Sequence, residues 1–125
     1  VRVGDAMRVY DPSLTGYVHG VAAELADRED AFRYVRRLMP GGVCEAAAYC
    51  LAGYRATGLC LPLGNYHNQG PKGRIAPERI DAGDFASLVR LLTALPTAPG
   101  SPQVHDRKLA AAMRERLRTR KKYLK

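Results

Sequence analysis

The chain has 125 residues, of which 46% are hydrophobic, 26% charged and 7% aromatic. That is the length of one domain with enough apolar side chains for a core, and it excludes a wholly disordered chain, a Gly-X-Y fibre and a helical membrane span. The net charge of +8 sits at one end: residues 107–125 carry nine Lys or Arg against Glu115 alone, while residues 1–106 carry eleven charges of each sign. A basic tail on a balanced body fits a solvated helix end that touches polyanions non-specifically, so specific nucleic-acid binding is not expected. Val1 opens in sequence that already reads as ordered, with no Met and no basic-then-apolar leader, which gives the expectation of a piece of a longer polypeptide.

Residues 6–10 alternate and favour β structure, predicting a first strand. Asp11 and Pro12 supply an N-cap and a first helical residue. Leu14, Val18, Val21 and Leu25 then recur at helical spacing, predicting a helix to about Ala26 despite Gly16 and Gly20. Residues 32–38 alternate apolar and basic side chains, predicting a strand with at least one wet or partner-covered face. Beyond Met39-Pro40-Gly41-Gly42, residues 45–51 suit a helix and Gly53 a left-handed stop. Residues 57–63 form a nearly continuous apolar run, predicting a strand buried on both faces. Residues 65–73 are a loop and 74–80 an extended segment. Asp81 and Asp84 cap a helix carrying Phe85, Leu88, Leu92 and Leu95, which Pro96 ends. Residues 97–103 read as a Pro-rich linker, and Leu109, Met113 and Leu117 mark a basic helix within 104–125. The alternation predicts an α/β fold with a three-layer sheet, at least partly parallel, under covering helices. Residues 1–96 would then be an incomplete half of a larger catalytic domain.

Cys44, Cys50 and Cys60 are odd in number and form no CxxC pair, which argues against a disulfide framework or a thiolate zinc site and makes a reducing cytoplasm the expected location. Cys50 and Cys60 lie among apolar residues, as small hydrophobes do. No serine stands in a Gly-x-Ser-x-Gly elbow, and no phosphate-binding glycine loop is present. His19 and His105 have no polar neighbourhood in the sequence and are expected at the surface.

Two stretches can carry chemistry. In the first, Gly41 and Gly42 allow a sharp turn and a close backbone approach, and Glu45 sits at a helix start where the dipole favours its charge. The plain reading is a turn before a charge-stabilised helix. In the second, Gly64-Asn65-Tyr66-His67-Asn68 follows the apolar run, where ligands of open α/β sheets bind. By position alone His67 could be a metal ligand, a general base or an exposed loop residue.

Taken together, Gly41-Gly42-Val43-Cys44-Glu45-Ala46, the apolar run and Gly64-Asn65-Tyr66-His67-Asn68 resemble the C-terminal part of the co-catalytic di-zinc exopeptidases: cytoplasmic aminopeptidases, tripeptidases and related amidohydrolases. The resemblance extends over about residues 5–95, from Met7-Arg8-Val9-Tyr10-Asp11-Pro12-Ser13-Leu14 through Ile75-Ala76-Pro77-Glu78-Arg79-Ile80 to the helix ending at Leu95. It implies a zinc-dependent hydrolase of peptide or amide bonds with two divalent ions per site. His67 would be a zinc ligand, and Gly41, Gly42, Glu45, Asn65, Tyr66 and Glu78 would orient that ligand or face the substrate. Val43 and Cys44 stand where the family usually carries Thr. The general base and most ligands belong to the family's N-terminal half, so the partners implied are a peptide or amide substrate and that missing half. A homo-oligomer is compatible, no membrane partner is expected, and the isolated chain is expected to be inactive, since one imidazole does not hold zinc. Two alternatives stand beside this: a non-catalytic module whose basic tail binds nucleic acid or an acidic partner, and a cysteine enzyme using Cys44 and His67.

Overall fold

In the computed structural model, which describes residues 1–123, the elements in chain order are β1 (Arg2–Gly4), α1 (Pro12–Arg28), β2 (Arg37–Leu38), α2 (Glu45–Leu51), α3 (Ala82–Ala94) and α4 (Pro102–Arg120). The architecture is mixed α/β. Among the described residues the sheet is a single parallel pair, β1 with β2, in which Arg2 faces Arg37 and Gly4 faces Leu38.

The helices begin where the caps stand. The Asp11 carboxylate accepts the Leu14 N–H at 2.6 Å, and Pro12 opens α1. The Asp81 carboxylate accepts the N–H groups of Gly83 and Asp84 at 2.7 and 3.2 Å, so α3 starts before Asp84. Gly53, with φ of +88°, follows α2 as the left-handed stop. α4 begins inside the predicted linker, where the Ser101 hydroxyl accepts the Val104 N–H at 3.3 Å and Pro102 opens the helix.

Apolar burial divides into two clusters. Val18, Val21, Ala22 and Leu25 of α1 pack with Phe32 and Leu91, joined at the margin by Val1, Tyr34 and Leu59. Tyr10, Ala46 and Ala47 form the smaller cluster, beside Cys44, Cys50 and Ala56. A bidentate pair of Arg90 with Glu29 ties α3 to the end of α1.

The strands depart most from expectation: among the described residues the sheet has two strands, and the three-layer arrangement is not confirmed. Residues 6–10 are not a strand. The Asp5 carboxylate takes the N–H groups of Met7 and Arg8 at 2.9 and 3.1 Å, and this turn folds the chain back so that Val9 bridges Gly4. Only Arg37 and Leu38 of residues 32–38 pair in a sheet, while Phe32 and Tyr34 join the main core instead. The apolar run 57–63 pairs in sheet fashion only at Gly58, against Arg2, and Cys60, Pro62 and Leu63 are exposed. Burial on both faces requires strands and helices on either side of the run, and the described residues do not supply them. His19 and His105 are half-buried rather than at the surface: the His19 ring meets the Tyr34 hydroxyl at 3.2 Å, and the His105 ring lies over Gly16. Among the described residues no helix is long and apolar enough to cross a membrane.

Candidate functional site

The segment from Gly64 to Arg79 closes on itself. Gly64 and Arg79 exchange two backbone hydrogen bonds of 2.8 and 3.1 Å, and Gln69 bridges Ile75 farther in. Glycine is required at Gly70, and at Gly64 a larger residue would displace the Arg79 side chain. A Cβ on Gly64 would lie 2.9 Å from the Arg79 side chain, and one on Gly70 would lie 2.6 Å from the Ala76 methyl and 2.9 Å from a backbone oxygen.

Within this segment the backbone is left-handed at four residues that are not glycine: Asn65, His67, Asn68 and Lys72, with φ of 56°, 57°, 58° and 59°. Asn and His adopt this conformation more readily than most residues, yet each instance costs about 1–3 kcal/mol and persists only where neighbours hold it. Here the neighbours are identifiable. Asn65 Nδ2 donates to the Pro77 carbonyl at 2.9 Å, the His67 N–H donates to Glu78 Oε1 at 2.7 Å, and the Glu78 N–H donates to Asn68 Oδ1 at 3.3 Å. The His67 ring is exposed and stands against Tyr66, with centroids 4.0 Å apart.

The loop thus brings together Asn65, Tyr66, His67 and Glu78. Glu78 meets His67 at its main-chain N–H and not at its ring, so it fixes the backbone that presents the imidazole. Glu45 opens α2 and lines a different cavity, of about 400 Å³, with Arg2, Cys44, Tyr49 and Cys60. Gly41 and Gly42 have no left-handed φ and no crowding atom that glycine would be needed to admit. Gly42 instead accepts the Ala6 N–H at 2.9 Å, tying the turn to the Asp5 bend. Among the described residues no three of His, Cys, Asp and Glu converge on a space a metal ion would fill.

A second polar node escaped the sequence reading. Asp5 is buried, and besides its own turn it accepts the Tyr10 hydroxyl at 3.0 Å and the Cys44 N–H at 3.1 Å. Burial alone pushes this carboxyl up. The N–H groups of Cys44, Met7 and Arg8 and the Tyr10 hydroxyl outweigh it and hold the group at about 2. Burial first, then the Cys44 and Asp5 side chains, raise the Tyr10 phenol above its ordinary range. Cys44 Sγ lies 2.7 Å from the Tyr10 hydroxyl, so the thiol meets a phenol and not an imidazole. Among the described residues Cys44 and His67 form no hydrogen bond, so the pair a cysteine enzyme needs is not assembled. The available signal was the spacing of Asp5 from Met7 and Arg8, which suits a side-chain-capped turn.

A wider apolar groove of about 640 Å³ runs along Phe32, Val35, Leu38, Leu59, Leu61 and Leu88. Its size is that of small-molecule sites in general. Comparison with protein-family models, with curated proteins and with solved structures finds no match for this chain.

Proposed function

We propose that the chain is the C-terminal portion of a metal-dependent peptidase or amidohydrolase, and that its loop at residues 64–79 presents His67 to a zinc centre. The observation that supports this is the left-handed His67, held by the Glu78 carboxylate at its N–H. Three of the loop's four left-handed residues, Asn65, His67 and Asn68, carry or flank the exposed imidazole, which marks a conformation held by its neighbours at some cost. The resemblance of this loop and of the turn at Gly41 to the di-zinc exopeptidases gives the reaction class and the substrate class, a peptide or amide bond.

The described residues do not by themselves fit a zinc centre. One ring, with a carboxylate already engaged by a main-chain N–H, leaves a four-coordinate site incomplete. In this reading the general base and remaining ligands belong to the other part of the enzyme, and the chain contributes the oriented imidazole. The resemblance assigns Glu45 and the Gly41-Gly42 turn to the substrate side, whereas Glu45 lines a separate cavity and Gly42 is tied to the Asp5 bend.

The test combines a zinc titration followed by histidine ring resonances with a peptide-hydrolysis assay on the same chain. The expected result is that His67 responds before His19 and His105, that His67→Ala removes this response, and that no hydrolysis occurs. A His67 ring that stays silent while another histidine moves, or robust turnover by this chain with added zinc, overturns the proposal.

A further inference from the structure

The line of β1 runs on into the apolar groove. At Arg2, β1 lies between two neighbours: β2 on one side, parallel, and Gly58 on the other, antiparallel. Outward from Val1 both neighbours continue, and residues 33–35 and 59–61 line the groove together. The register settles which backbone groups they turn toward the line of β1. On the parallel side the Val1 nitrogen donates to the Val35 carbonyl at 2.8 Å, and the Val1 carbonyl accepts the Arg37 N–H at 3.0 Å. The next pair outward is therefore the Val35 N–H and the Arg33 carbonyl. On the antiparallel side the Gly58 carbonyl accepts the Arg2 N–H at 2.8 Å. The next pair there is the N–H and the carbonyl of Cys60. None of these four groups has a hydrogen-bond partner among the described residues. The first edge is fixed by α3, whose Ser87 hydroxyl accepts the Arg33 N–H at 3.3 Å.

The four groups match what two consecutive residues of a central strand present: one residue meets Cys60, and the next meets Arg33 and Val35 on the other side. The side chains are matched as well. In a segment continuing β1, every second residue shares the face of Val1, which packs on the main core, and meets Leu88 and Leu91 of α3 there. The residues between share the face of Arg2. Arg2 stands opposite Arg37, like charge against like, and neither these two nor Arg33 is in an ion pair among the described residues. Asp84 is the one acid on the groove lining. We propose that this groove receives an extended strand of a partner polypeptide, apolar on the face toward α3 and acidic on the face toward the arginines. Backbone bonds supply affinity in this mode and the alternating side chains supply specificity. A small apolar molecule would cover the side chains and leave the four backbone groups unpaired. A second copy of the chain is a poor donor, because residues 32–38 bring three more arginines and residues 57–63 bring no acid. Pro62 has no N–H and ends the ladder on the Cys60 side, so the paired part of the strand is short. The groove does not include His67, and the inference is independent of the peptidase reading.

Titration of the full chain with acetyl-Val-Glu-Val-Glu-Val-Glu-amide, to about 1 mM, tests it by amide exchange. At saturation the Val35 and Cys60 amides are expected to exchange about tenfold more slowly, the equivalent of one net hydrogen bond each, while amides of α4 keep their rates. The same peptide methylated on its backbone nitrogens is expected to bind at least about tenfold more weakly, as is the peptide with Lys in place of Glu. Arg33 and Arg37 are exposed, so the R33E/R37E variant reverses the charge without opening the core, and circular dichroism checks its fold. That variant is expected to prefer the Lys peptide. The proposal is overturned by Val35 and Cys60 amides that keep their rates, by a methylated or a Lys peptide that the parent chain binds as well as the acidic one, by a charge-reversed variant that still prefers the acidic peptide, or by tighter binding of decanoate than of the peptide.

Discussion

The Asp5 carboxylate accepts four hydrogen bonds, from Met7, Arg8, Tyr10 and Cys44, and so joins the first turn, the smaller core and the start of α2 through one side chain. Its folded-state value of about 2 lies below the ordinary carboxylate value near 3.8. The stability it contributes is therefore complete above about pH 4 and is lost as the pH falls through about 2. Urea unfolding midpoints should fall more steeply across that window for the parent than for Asp5→Asn, and the variant should be the less stable at neutral pH. Tyr10→Phe removes a buried hydroxyl bonded to both Asp5 and Cys44, and the expected loss in the same measurement is about 1 kcal/mol. Of this only a side-chain-capped turn at Asp5 was open to reading; its bonds to Tyr10 and Cys44 were not. The alternating residues that follow it suggest a strand, and what cancels the strand is a side chain capturing the backbone two and three residues on.

At the scale of elements, what was legible is what is local. Asp11-Pro12, Asp81 and Gly53 mark helix ends through bonds within a few residues of themselves, and α1, α2 and α3 lie close to where the sequence puts them. Strands need partners from elsewhere, so residues 32–38 and 57–63 have β-type composition with almost no pairing. Half of the candidate site was readable in the same sense. The position of His67 after the apolar run and the company of Glu78 can be read from order, whereas a left-handed backbone clipped at its N–H cannot. Glu78→Ala should release that clip. The His67 amide is then expected to exchange with solvent about tenfold faster, the equivalent of one net hydrogen bond, while amides of α1 keep their protection. Leu91, 3% exposed between α3 and α1, belongs to the core proper. Leu91→Ala is expected to lower unfolding free energy by about 2–4 kcal/mol, well above the effect of breaking the solvent-screened Arg90–Glu29 pair beside it.

For the whole molecule, α4 is attached to α1 through its first turns, where the His105 ring lies on Gly16 and Asp106 accepts the Ser13 hydroxyl. Gly16→Ala pits two effects against each other. Alanine favours α1 by up to about 1 kcal/mol, and its methyl occupies the space of the His105 ring. The ring is the movable end of a side chain and yields first, so the body should keep or slightly raise its unfolding temperature while tryptic cleavage at Arg107 and Lys108 accelerates. The sequence announced the basic helix but not this attachment, because a glycine inside a helix reads only as a weakness until the ring that needs its bare surface is known.

The sparse pairing of residues 57–63 also bears on how the protein keeps to itself. An extended, β-prone stretch bonded in sheet fashion only at Gly58 is a template on which other copies could stack. Pro62 sits within it, exposed and without an N–H to offer, so a growing ladder would break at that residue. Pro62→Val should remove the break: concentrated solutions of the variant are expected to scatter light and bind thioflavin under conditions in which the parent stays clear.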